Sequence, residues 1–230
     1  MAKRLTLPFL LLSLCGTLHA QVSIGVEAGP DFSRILNILQ PFYNLGGTSS
    51  KNSQSITRFY CGFLADIPLD KRQQFIVRPS LLYLGAGGET PEIMDFSGNV
   101  IELQTTYYFD YAQLPLQLMY SPTFSFGKPW IGAGVYGGVL FNAGGKNSSG
   151  PQYITIGNSR SDNFSRYDLG YNATAGFTFK FGILLGVDYQ QSFGTITPGQ
   201  PAGAPQVRNS IWGVHIGYVA SIAGGPRSTH

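Results

Sequence analysis

Charge is scarce in this sequence. Asp, Glu, Lys and Arg make up 12% of its 230 residues, about half the usual share of a soluble domain. Fifteen basic and twelve acidic residues nearly cancel, which leaves no electrostatic footprint for nucleic acid as a partner. Cysteine is scarcer still, with Cys15 and Cys61 only. Cys15 lies in an apolar N-terminal leader, so the exported chain would keep one thiol and no intramolecular disulfide. Beyond that leader there is no run of 18 uninterrupted apolar residues, which excludes a membrane-spanning helix. No Gly-x-Ser-x-Gly elbow is present, which removes one hydrolase signature.

The leader is of a different kind from the rest. Lys3 and Arg4 precede the uncharged apolar run Leu5–Leu14, and "TLHA" leads into "QVSIG". This pattern predicts a secretory signal peptide over residues 1–20, cut after Ala20, with Leu18 larger than the ideal small residue at −3. A lipoprotein cut before Cys15 competes, but Leu14 is too bulky for the residue preceding that cut. Loss of Lys3 and Arg4 leaves thirteen basic residues against twelve acidic ones. An exported chain poor in charge, with 30 glycines and 13% aromatics, points to β-structure in an outer membrane.

Period-two alternation recurs in eight segments, at about Val22–Ala28, Arg58–Ile67, Phe75–Tyr83, Ala112–Tyr120, Ile131–Phe141, Asp168–Phe179, Gly182–Gln190 and Trp212–Tyr218. Each segment puts its apolar residues on one face and keeps Asp, Glu, Lys and Arg off that face. An Arg or Lys facing lipid near the midplane would cost about 2–4 kcal/mol. Apolar-out is therefore the expected orientation. The connections alternate between short turns and long Gly/Ser/Asn/Pro-rich loops, the layout of an outer-membrane barrel. Residues 21–220 are thus expected to form an all-β, eight-stranded antiparallel up-and-down transmembrane barrel. Residues 221–230 are expected to form a periplasmic tail. Tyr107, Tyr108, Phe109, Tyr167, Tyr171 and Trp212 are expected at the long-loop rim. Phe75, Tyr120, Phe177, Phe179, Phe181 and Tyr218 are expected at the short-turn rim, giving paired aromatic girdles. Asp110 shares parity with the lipid-facing residues of its segment, which requires a place above the membrane or at a bulge.

Two constellations could carry chemistry. Gly132-Ala133-Gly134-Val135-Tyr136-Gly137 fits the G-x-G-x-x-G pattern of a dinucleotide turn. The succeeding stretch "GVLFNAGGKNSSGP" cannot open a helix, and no acid occurs between Trp130 and Arg160, so the context that this motif needs is missing. Gly132, Gly134 and Gly138 instead make room inside a narrow barrel. The inward charges Glu27, Arg58, Asp66, Arg78, Asp168, Asp188 and His215 predict a structural lumen network, in which mixed signs partner one another. A catalytic or proton-handling cluster is the competing reading. His215 has no second ligand at metal spacing, so no metal or cofactor is expected.

The stretches "VSIGVEAGPDFSRI", "GFLADIPLDKRQQFIVRPSLLYLGAGGE", "YAQLPLQLMYSP", "YDLGYNATAGFTFKFGILLGVDYQQSFGTI" and "RNSIWGVHIGYV" follow one another in this chain. In that order and spacing they resemble the Bacteroidota-type outer-membrane β-barrel domain, a group of small barrels that includes PorT-like proteins. The resemblance implies an outer-membrane location and a barrel fold. PorT-like members are linked to a protein-secretion and gliding apparatus. Pro79 in mid-strand and a last strand without a terminal aromatic depart from the pattern, and the second bears on hand-over to the barrel-insertion machinery. The expected partners are outer-membrane lipid, that machinery and an extracellular or envelope protein. The expected role is non-enzymatic, structural or surface-interacting. A narrow channel or secretion component, a lipid-acting membrane enzyme and a soluble barrel for an apolar ligand are the alternatives.

Overall fold

A computed structural model describes residues 22–38, 52–94, 100–199, 203 and 205–221. The leader and the tail beyond Ser221 lie outside the described residues. Thirteen strands are described. They are β1 (Ser23–Leu36), β2 (Ile56–Pro68), β3 (Phe75–Thr90), β4 (Ile93–Met94), β5 (Val100–Glu102), β6 (Thr105–Tyr120) and β7 (Gly127–Asn147), followed by β8 (Gly150–Gln152), β9 (Ile156–Gly157), β10 (Phe164–Ser165), β11 (Tyr167–Phe179), β12 (Ile183–Ser192) and β13 (Arg208–Ser221). Eight of these, β1-β2-β3-β6-β7-β11-β12-β13, pair antiparallel in sequence order. The β1–β13 pair closes the ring. Closure removes the sheet edges that would otherwise stand unpaired in lipid.

The alternation places side chains as expected. Ile24, Phe63, Leu114, Leu118, Ile131, Leu169, Val187 and Ile216 are exposed on the outer wall. Glu27, Arg78, Gln113, Gln117, Asn172 and His215 are buried inside it. Ser23 pairs with Ser221 at the short-turn end, so the wall begins and ends on the same side. All eight strands outrun their sequence signal, mostly toward the long loops; β7 alone covers 21 residues. The extra length stands above the apolar band as polar and Gly-rich wall, where alternation of hydrophobicity no longer marks a strand.

Two irregularities have local causes. The β2–β3 ladder is interrupted between Leu64↔Ser80 and Ile67↔Val77, where Pro79 brings no N–H. Between β6 and β7 the register slips at Asp110, so that Phe141 and Asn142 both face outward. This is a β-bulge, one of the two places foreseen for Asp110.

The girdles form with one correction. At the short-turn rim Phe124, Phe126, Phe177, Phe179 and Phe181 make a continuous ladder with successive centroids 6.2, 5.3, 4.9 and 5.2 Å apart. At the long-loop rim Trp212, Tyr189, Tyr171 and Phe193 make another. Tyr107 and Phe109, expected in that rim, point inward instead. Phe109 is fully buried against Tyr111 and Phe164, and Tyr107 packs on the same cluster. They share inward parity with Tyr111 and Gln113, which the aromatic count alone did not reveal.

Candidate functional site

Among the described residues, buried polar groups gather in the lumen, which has three levels. The lowest is a floor. Arg78 donates from Nε and Nη2 to the two carboxylate oxygens of Asp66 at 2.7 and 3.0 Å. Such two-point geometry is the strongest form of ion pair. The guanidinium lies 5.0 Å from the Trp130 ring, which stacks on His215 at 5.9 Å with planes 10° apart. Gly176 and Gly186 make this stack possible, since a Cβ on either would come within 2.4 Å of the indole. Trp130 Nε1 donates to Thr178 at 3.0 Å. Ile76 and Met119 pack with Trp130 to complete the floor. Below it a vestibule of about 290 Å³ opens at the short-turn end, with Lys128 and Lys180 in its lining.

Above the floor, His215 lies between two carboxylates. Its Nδ1 is 3.3 Å from Asp188 and its Nε2 is 3.7 Å from Glu27. The Tyr60 hydroxyl donates to Asp188 at 2.9 Å. The cavity at this level measures about 30 Å³, room for about one or two waters.

The third level is an apolar plug at the long-loop end. Ile35, Leu84, Ala86, Phe109, Leu140 and Ile211 reach in from five strands, and Phe164, Ile196 and Val207 descend from the loops. Backbone bonds from Ser165 N to Ile196 O and from Ile196 N to Val207 O, both 2.7 Å, tie two loops together over it. Asp168 anchors its underside. It accepts from Ser192 at 2.9 Å, Asn209 Nδ2 at 3.0 Å and Tyr136 at 3.5 Å, and Asn209 also donates to Tyr111 at 3.0 Å.

Six of the seven expected network residues therefore face the lumen, in two separate groups. Glu27, Asp66, Arg78, Asp188 and His215 share the lower levels, and Asp168 stands apart under the plug. Arg58 is the exception. Its Nη2 donates to Asp110 at 2.7 Å and its guanidinium covers Tyr108 at 5.5 Å. Asp110 also accepts from Tyr83 and Asn142, each at 2.7 Å. Tyr83 packs at a tilt against outward Phe59 and Phe141, so this cluster belongs to the outer rim. The cause lies in β3, where a Cβ on Gly85 would sit 3.0 Å from Arg58 Nε. A bare backbone there lets the arginine cross to the outside.

Asp31 takes the vacated lumen position. It is fully buried, and its carboxylate has no side-chain hydrogen-bond partner among the described residues. It shares the parity of Glu27, but the intervening "AGPD" reads as a turn and hides the continuation of the strand. The described lumen thus holds Glu27, Asp31, Asp66, Asp168 and Asp188 against Arg78 and His215, an acid excess where mixed signs were expected.

The glycine stretch lies within β7. A Cβ on Gly134 would lie 2.0 Å from the Leu116 carbonyl oxygen, and one on Gly132 would lie 2.7 Å from Met119. On Gly137 it would make an ordinary 3.4 Å contact with Leu169. This is close strand packing, with no helix to receive a phosphate.

Residues 17–197 match the family model described as the outer membrane protein beta-barrel domain. No curated protein matches the chain. Among solved structures, OprG of Pseudomonas aeruginosa is similar at 16% identity, covering 88% of this chain and 98% of its own, with a TM-score of 0.46. Neisserial surface protein A is similar at 14% identity, with 85% and 96% coverage and a TM-score of 0.44. The attachment invasion locus protein Ail of Yersinia pestis is similar at 12% identity, with 87% and 99% coverage and a TM-score of 0.42.

Proposed function

The chain belongs to the outer membrane protein β-barrel domain family, and from that premise we propose that it is a sealed, non-enzymatic barrel that presents its long loops to extracellular partners. The observation that carries this is the closure of the lumen at two levels, with about 30 Å³ left between them. An eight-stranded interior is just wide enough for side chains to fill, and these side chains fill it. The loops, by contrast, are built outward. The β7–β8 hairpin rises beyond the barrel, β9 and β10 pair beside it, and a recess of about 430 Å³ opens between Tyr107, Tyr153, Asn163 and Thr197. Tyr153 is 90% exposed there, a large aromatic placed where a partner would cover it. The finer kinship with PorT-like proteins rests on the order of the sequence motifs alone.

The test is electrical. Full-length protein, refolded and inserted into planar bilayers, is expected to show no conductance above the bare membrane. Steps of unitary conductance in the native protein would replace the sealed barrel with a narrow channel.

A further inference from the structure

Acids are distributed unevenly around the long-loop end. No Asp or Glu occurs between Asp31 and Asp66, nor anywhere after Asp188. The upper parts of β1, β2, β12 and β13, with the two loops that join them, are therefore free of carboxylates. The rest of the rim carries Glu89, Glu92, Asp110 and Asp162, of which Glu89 bridges back to Gln54 and Asp162 shares a recess with Ile38 and Val207. Two arginines stand on the acid-free side. Arg34 is exposed on the outer face of β1, opposite Ser210; Arg208 is opposite Leu36, one diagonal step away. Diagonal neighbours of this kind have Cβ atoms about 7 Å apart, close enough to share one anion. Neither meets a carboxylate among the described residues. Among the described residues Arg208 donates to Gln206 alone, and no ion pair reaches Arg34.

Their height on the wall is set by register. Arg34, Ser210, Gln191 and Tyr171 form one row across four strands, and Phe32, Trp212 and Tyr189 form the next row toward the membrane. Phe32 and Trp212 are 44% and 54% exposed, as aromatics of an interfacial belt should be. Two residues along a strand is about 7 Å, so Arg34 stands one such step beyond Phe32, at the outer edge of the belt that Tyr171 shares, and Arg208 stands two steps beyond Trp212, at the level of lipid headgroups. The Ser210 hydroxyl, in the row between Arg34 and Gln191, is buried without a partner among the described residues. It is a donor that an incoming phosphate oxygen would satisfy.

We propose that Arg34 and Arg208 clasp the phosphate of a headgroup in the outer leaflet, holding a phosphorylated glycolipid against the β13–β1 face of the barrel. This rests on the orientation of the long loops outward but not on whether the lumen conducts. The arginines supply paired planar donors of the kind that match phosphate, and the belt beneath them holds the acyl region in place.

The experiment titrates detergent-solubilised full-length protein with diphosphorylated lipid A and reads lipid adducts by native mass spectrometry. Phosphatidylcholine and inorganic phosphate are separate arms. Native protein and Arg166→Gln, which removes an arginine from the acid-bearing side, should retain lipid A equally. The Arg34→Gln/Arg208→Gln double variant should bind about 25-fold more weakly, at about five-fold per arginine near a membrane surface. Both single variants should fall between. Heat-modifiable migration checks that each variant is folded, and the singles decide the matter should the double fail. Equal retention by folded double or single variants would overturn the proposal. So would equal binding of phosphatidylcholine, or full competition by millimolar inorganic phosphate, which would reduce the site to one for a free anion.

Discussion

At the scale of single residues, glycine has the sharpest consequences. Gly134 admits no side chain, because its Cβ position is 2.0 Å from backbone, whereas at Gly138 the nearest atom is Tyr111 Cδ1 at 3.5 Å. Gly134→Leu is expected to block formation of the heat-modifiable folded species on a gel, while Gly138→Ala should migrate like the native protein. Migration of both as folded protein would show that the β6–β7 wall yields more than close packing allows. The inward and outward parity of such residues was legible from alternation alone, and so were Glu27, Asp66, Arg78, Asp168, Asp188 and His215 as lumen groups. Asp31 and Trp130 were not legible, since Asp31 lies three residues past Ala28, where its segment was followed to, and Trp130 lies one residue before Ile131, where its segment begins. Arg58 was misplaced because parity fixes where a Cβ points, and a long side chain beside Gly85 can still cross to the other face.

At the scale of elements, the strands were read correctly in number and pairing order but short at their loop ends. Above the membrane band the wall no longer needs an apolar outer face, so the signal ends before the hydrogen-bonded ladder does. The short β2–β3 turn shows the opposite case, in which a few polar residues fully specify the geometry. Asp70 Oδ1 accepts from the backbone N–H groups of Gln74 and Phe75, each at 2.8 Å, and Oδ2 accepts from Arg72 at 3.1 Å. Gln73 takes up the positive φ that the turn requires. These N–H groups, that of Phe75 foremost, hold the Asp70 carboxyl below its ordinary range. A carboxyl depressed in the folded state lends stability that is complete above its unfolded value, about 3.9, and is lost as pH falls through the lower folded value. Thermal midpoints of the native protein should therefore drop more steeply below about pH 4 than those of Asp70→Asn, whose amide keeps an acceptor but no titrating group. Parallel slopes for the two proteins would remove Asp70 as a source of acid sensitivity.

At the scale of the whole molecule, the barrel is closed twice by different chemistry. The floor is an ion pair beside an indole and an imidazole stacked in parallel, and the plug is hydrocarbon brought partly by loops. Two seals in series predict a non-additive response to opening them. Trp130→Ala removes the centre of the floor but leaves Phe109 and Phe164 in contact at 4.5 Å above, so planar-bilayer current should stay at background. Phe109→Ala with Phe164→Ala thins the plug but leaves the Arg78–Asp66 clasp and Trp130 below, and should be equally silent. Each Phe truncation costs about 3–5 kcal/mol where the side chain is fully packed, so folded migration on a gel is the condition for reading any of these currents. The triple variant should conduct, because it alone opens both layers between the vestibule and the loops. Conduction in the floor variant alone would mean that the plug does not seal, and silence in a folded triple variant would place a further barrier among Glu27, Asp188 and His215. Sealing by two independent layers is what a barrel needs if its loops, rather than its lumen, meet the outside.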